Sequence, residues 1–85
     1  MKQAIILASF GVSDPKIRTE TFELIESEVR QTFPDIEVVQ TYTSEAVRYP
    51  LKLPTVDEYL RQFADKKIER TIVVPIFLTW ISKNS

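Results

Sequence analysis

The chain is 85 residues long, 44% hydrophobic and 27% charged, with a net charge of −1. That is the composition of one globular domain at most, and a chain this short buries only about 60–65% of its unfolded surface. The balanced charge offers no electrostatic attraction to nucleic acid or an anionic membrane, and the absence of both histidine and cysteine excludes a disulfide framework, a thiolate metal site and imidazole acid–base chemistry.

Residues 3–9, Gln-Ala-Ile-Ile-Leu-Ala-Ser, form an apolar run of the kind found in a strand covered on both faces. The run is far too short to span a bilayer, and no Ala-x-Ala cleavage site follows it, so the expectation is a soluble, cytoplasmic protein. The only glycine of the chain, Gly11, follows directly and predicts a sharp turn with permissive backbone angles. Asp14-Pro15 reads as a helix start, with Asp as N-cap and Pro at the first helical position. Ile17, Thr21, Leu24, Ile25, Val29 and Phe33 recur at helical spacing, with Lys16, Arg18, Glu20, Glu23, Glu26 and Arg30 mostly on the opposite face. Pro34-Asp35 ends that helix.

Residues 36–42 are β-branched and partly alternating, which predicts a second strand, less buried than the first. Thr43-Ser44 is placed to cap a short helical turn running to Arg48, and Pro50 and Pro54 bracket an irregular link. Thr55-Val56-Asp57-Glu58 has the spacing of a capping box, and Val56, Tyr59, Leu60 and Phe63 give the following helix its apolar face. Lys66 and Lys67 suit the negative end of its dipole. Residues 70–78 read as a third strand, with Pro75 favouring an edge or a strand end, and residues 79–85 as a tail. The order β-α-β-α-β predicts a three-layer, doubly wound parallel α/β half-domain with strand order 2-1-3. Ligands of such sheets bind at the carboxyl ends of the strands, here residues 9–13, 42–44 and 77–81.

Read together, those edge segments resemble the class II chelatases of tetrapyrrole metabolism, and in particular the N-terminal half of the anaerobic sirohydrochlorin cobaltochelatase type. Ser9-Phe10-Gly11-Val12-Ser13 stands where the family has Ser-Phe-Gly-Thr-Ser after an apolar strand. Phe33-Pro34-Asp35 matches the end of the family's long helix, and Thr43-Ser44 matches the Thr-Ser pair closing its second strand. Thr55 to Glu58 matches a Thr-Val-x-Glu helix start, and Val73-Val74-Pro75 a Val-x-Pro strand. The five pieces run in register over nearly the whole chain. The resemblance implies a single chelatase-like half-domain over residues 1–85 of the flavodoxin-like three-layer type. It also implies a role in cobalamin biosynthesis with Co2+ as substrate, and sirohydrochlorin bound by Ser9, Phe10, Gly11, Val12, Ser13, Thr43, Ser44 and Phe77.

The departures bear on the chemistry. Where the family carries a His after the Val-x-Pro strand, this chain has Phe77, and no Gly-x-Glu-Tyr segment follows within residues 78–85. The related small chelatases place a His in the turn after the first strand, where Phe10 stands. Metal insertion needs a group to guide the metal and a base for the pyrrole protons. The acids nearest the expected ligand edge are Asp14, Glu45 and Glu58, and two of them, Asp14 and Glu58, serve equally well as helix-start residues. No metal ligand, no bound cofactor and no catalytic residue is therefore assigned. The Ser9–Ser13 turn either offers its N–H groups to the carboxylates of a polyacidic macrocycle or is an ordinary β-α turn. Thr43 and Ser44 either meet a ligand or cap the next turn, and Arg48 either pairs with a substrate carboxylate or lies solvated. Phe10, Phe77 and Trp80 form either a stacking platform or exposed core that drives self-association. Three functions compete: a chelatase acting on sirohydrochlorin, incomplete or inactive as this chain alone; a non-catalytic module that binds a tetrapyrrole or pairs as a homo-oligomer or with a second half-domain; and a receiver-like regulator. Ala8-Ser9-Phe10 lacks the clustered acids the last would need.

Overall fold

A computed structural model of the chain describes residues 2–76. Strand β1 (Gln3–Ser9) leads into a helix that runs without a break through α1 (Pro15–Ile17), a π-helical segment (Arg18–Glu23) and α2 (Leu24–Thr32). Strand β2 (Glu37–Tyr42), the short α3 (Glu45–Arg48), α4 (Val56–Asp65) and β3 (Arg70–Ile76) follow. The three strands form one parallel sheet in the order β2-β1-β3, with Ser9 in register with Tyr42 on one side and Ile76 on the other. This is the α/β architecture expected from the sequence. Residues 77–81, which complete the expected third strand and carboxyl edge, lie outside the described residues.

Because β1 is central, both of its faces are covered, which is why its sequence is a continuous apolar run rather than an alternating one. Ile5 and Leu7 pack with Val38, Ile25, Val29 and Ile36 on the α2 side. Ala4 and Ile6 pack with Tyr59, Phe63, Val39 and Val56 on the α4 side. The two halves of the core thus follow the period-2 alternation of β1 and β2.

Two expected apolar faces are corrected. In the first helix Leu24, Ile17 and Phe33 are exposed, whereas Phe22 is buried and meets the Tyr42 ring edge-on at 5.7 Å. The stripe that meets the core is Phe22, Ile25 and Val29, three and four residues apart, and Leu24 lies off it. In α4, Tyr59 and Phe63 are buried as expected, but Leu60 is exposed.

The two edges of the sheet differ. Thr43 N–H donates to Ser9 O, so β2 turns its odd-numbered peptide groups to β1 and its even-numbered ones outward. Two outward carbonyls are covered by side chains: the Arg30 guanidinium donates to Val38 O at 2.9 Å, and the Tyr59 hydroxyl to Gln40 O at 3.4 Å. On β3, Arg70 N–H donates to Lys2 O, which turns Thr71, Val73 and Pro75 outward. Pro75 therefore lacks its N–H on the free edge, where none is needed, as its sequence position suggested. Ile72, Val73 and Val74 remain exposed on β3, and no strand lies beyond it among the described residues.

The capping box is present in both directions. Thr55 Oγ1 accepts from Glu58 N–H at 3.1 Å, and Glu58 Oε1 accepts from Thr55 N–H at 2.8 Å. Lys66 occupies the C-cap of α4 and pairs with Glu37 at 2.9 Å, and Lys67 takes the left-handed conformation that follows it. Replacing Thr55 by Ala is expected to cost about 1 kcal/mol in urea unfolding, the usual loss for a hydroxyl N-cap. The Thr55 backbone N–H, with the Thr55 side chain second, holds the Glu58 carboxyl below its ordinary range. A lowered pKa in the folded state means that this contribution is present at neutral pH and fades as the pH falls through the depressed value. An NMR titration of the Glu58 carboxyl is expected to show a lowered midpoint that moves back up in Thr55→Ala.

Candidate functional site

The parallel ladder does not stop with the strands. Thr43 N–H donates to Ser9 O at 2.8 Å and Ser44 N–H to Phe10 O at 3.1 Å, which ties the turn after β1 to the turn after β2. Gly11 sits at φ +105° where these turns meet. A Cβ placed there would lie 3.0 Å from Cβ and Cγ of Tyr42 and 3.2 Å from Val47 Cγ1. Both the backbone angle and the space therefore demand glycine, which accounts for the one glycine in the chain.

Six of the eight residues expected to bind substrate line up along this junction. Phe10 stands 73% exposed at its tip, a bare aromatic face beside the strand ends. Val12 is half-buried, Ser13 and Thr43 are exposed, Ser44 is half-buried, and Gly11 lies between the two turns. Ser9 is buried beneath them, and its hydroxyl has no hydrogen-bond partner among the described residues. Phe77, and Trp80 with it, fall outside the described residues.

The caps are distributed otherwise than the sequence suggested. Asp14 caps the long helix, accepting from Lys16 N–H at 2.9 Å, and Pro15 takes its first position. Ser44 occupies the N-cap position of α3, but its side chain makes no capping bond; the turn closes through its carbonyl, which accepts from Arg48 N–H at 2.9 Å. Arg48 donates through Nη1 to Leu53 O at 3.1 Å and so braces the loop between α3 and α4. Asp14 and Glu58 are engaged in caps, while Glu45 is exposed on the first turn of α3. Among the described residues no three acidic side chains converge in a way that would hold a metal ion.

A cleft of about 600 Å³ opens beside this junction, along the outer edge of β2 and under the π-helical segment. Its walls include Arg18, Glu23, Glu26, Gln40, Tyr42 and Tyr59. Glu26 is held by Arg30 at 2.6 Å, and with the Gln40 amide turned so that its nitrogen faces Glu26 it also accepts from that amide at 3.0 Å. Burial, opposed by the Arg18 charge and reinforced by Glu23 and Glu26, pushes the Tyr42 hydroxyl up; burial does the same to Tyr59. Tyr42 belongs to the strand-end segment expected from the sequence, whereas Arg18 reads from the sequence as a solvent-face residue. Arg18 stands four residues before the buried Phe22, on the helix face that carries Ile25 and Val29, and this spacing brings it to the cleft.

A parallel sheet whose strand-end turns are stitched together around a tight glycine is an α/β module, the class whose ligands bind at the carboxyl ends of the strands. The cobalt chelatase (CbiK) family matches residues 3–80, and the chain belongs to that family. No curated protein and no solved structure matches the chain. No helix of the described residues is long and apolar enough to cross a membrane.

Gly11→Ala is expected to destabilise the chain by about 1–3 kcal/mol, since it combines a left-handed backbone with a blocked Cβ. Urea unfolding measures the loss, and an unchanged midpoint would mean that the two turns can part without cost.

Proposed function

We propose that this chain binds the macrocycle of a cobalt chelatase of cobalamin biosynthesis, holding sirohydrochlorin at the carboxyl edge of the sheet. The observation that carries the reading is the family match, which spans both stitched turns, residues 9–13 and 43–44. Three features support it. Phe10 offers a flat exposed aromatic against which a macrocycle can stack. The N–H groups of residues 11–13 precede a long helix and suit the carboxylates of a polyacidic ligand. The hydroxyls of Ser13, Thr43 and Ser44 add neutral donors along the same edge.

Co2+ enters as a substrate. Its insertion displaces the pyrrole protons, which a base must take up. Of the unengaged acids near the edge, Glu45 is the available carboxylate, and no imidazole exists in the chain to assist it. The missing histidine favours a second reading, in which the chain holds the tetrapyrrole without catalysing insertion, alone or as a homo-oligomer or paired with a second half-domain.

An absorbance titration of the purified chain with sirohydrochlorin, followed by Co2+, separates the readings. Binding with accelerated insertion supports the chelatase. Binding without acceleration supports the holding module, and no spectral change refutes both. Phe10→Ala is expected to weaken sirohydrochlorin binding about 3- to 10-fold, the worth of one aromatic stacking contact.

A further inference from the structure

Arg18 stands out among the charged residues of the chain. Its side chain is only 17% exposed, on the first turns of the long helix above the end of β2. Burying a guanidinium this far is costly unless hydrogen bonds replace its water. Among the described residues its one ionic contact is with Glu23, at 4.0 Å, beyond hydrogen-bond length, and the Glu23 side chain is itself 55% exposed. Arg30, by contrast, lies at 2.6 Å from Glu26 and donates to Val38 O as well. Arg18 is thus a largely desolvated cation whose donors have no close acceptor among the described residues.

Beside it lies a second unfilled group. Tyr42 is 3% exposed and lines the same cleft, and its hydroxyl makes no hydrogen bond among the described residues. Its counterpart in the ladder, Ser9, points to the same face of the sheet and also has an unpartnered hydroxyl. The Tyr42 ring is the one against which Gly11 closes, so this corner adjoins the Ser9–Ser13 turn. A half-buried guanidinium and a phenol whose hydroxyl opens to the cleft, neither with a close acceptor among the described residues, match the needs of a carboxylate, which accepts from the two together.

We propose that Arg18 and Tyr42 anchor one carboxylate of the polyacidic macrocycle, an inference that rests on the tetrapyrrole reading given above. The arriving carboxylate takes the place now loosely held by Glu23, which is exposed enough to swing into solvent. Glu26 does not compete, because Arg30 already holds it at 2.6 Å. The helix supplies Arg18 through its π-helical turns, a feature often found where a helix is bent to a binding task.

The test uses the full chain and uroporphyrin III, which carries eight carboxylates, in a fluorescence titration. Arg18→Met is expected to weaken binding about 10-fold or more, and Tyr42→Phe about 3- to 10-fold, the usual scale for a charged and a neutral hydrogen bond. Glu23→Gln has the opposite expected sign, tightening binding about 2- to 5-fold by removing a weak competitor. A merely structural role for Arg18 would not produce that gain. In the wild-type chain, the Arg18 Nε–Hε NMR resonance, assigned by triple-resonance spectroscopy on the labelled wild-type protein, is expected to move on addition of uroporphyrin III; this readout does not depend on whether a variant folds. Equal affinity of Arg18→Met and wild type, or an unmoved Arg18 resonance under saturating uroporphyrin III, overturns the anchor and leaves the tetrapyrrole reading standing. No binding of the macrocycle to the wild-type chain overturns both.

Discussion

The carboxyl end of the sheet depends on one close approach. The backbone at Gly11 passes over the Tyr42 ring with no room for a side chain. That contact lets the turns after β1 and β2 continue the parallel ladder through Thr43 and Ser44 instead of splaying apart. Phe22, delivered by the π-helical segment, braces the Tyr42 ring from the helix side. Strand ends, helix start and cleft are therefore one packed unit, and a change at Gly11 is felt at each of them. Loops joined in this way hold polar groups in place before a ligand arrives, which lowers the ordering cost of binding.

The sheet treats its two edges in different ways, and both follow from where charge and apolar surface fall. The β2 edge is blunted by long side chains from both covering layers, Arg30 from α2 and Tyr59 from α4, each donating to a carbonyl that would otherwise face solvent. Among the described residues the β3 edge has only Pro75 to interrupt it, and Ile72, Val73 and Val74 are exposed. The apolar character of β3 is thus that of a strand suited to cover on both sides, like β1, although among the described residues only one side is paired.

Membership of the cobalt chelatase family is a statement about ancestry and scaffold, and the chemistry has to be argued from side chains. Here the side chains divide the work unevenly. Groups suited to hold a flat, polyacidic macrocycle are present at the strand ends: an exposed aromatic, backbone N–H groups, hydroxyls and an under-partnered arginine. Groups suited to guide a borderline divalent metal are scarce. Asp14 and Glu58 are committed to helix caps, and the chain has no histidine. A carboxylate alone can act on hard-to-borderline cations, but it is a weaker fit for cobalt than imidazole.

Local physics made much of this protein legible from its sequence. The unbroken apolar run of β1, the Asp14-Pro15 start, the Thr55-to-Glu58 capping box and the edge position of Pro75 each rest on a few neighbouring residues, and each stands in the structure as read. The strand order followed from the alternation of strands and helices. What the sequence could not carry was the phase of the first helix. A π-helical stretch is not written in any short motif, and the stripe that meets the sheet is Phe22, Ile25 and Val29, with Phe22 against Tyr42. Leu24 and Ile17 are left to solvent, and Arg18, four residues before Phe22, lines the cleft. The sequence by itself determined the elements, their caps and their order, because those depend on contacts a few residues apart. Only the tertiary structure decided which face of the long helix meets the sheet and which polar groups lie buried without partners, because those depend on residues some twenty positions apart, such as Phe22 and Tyr42.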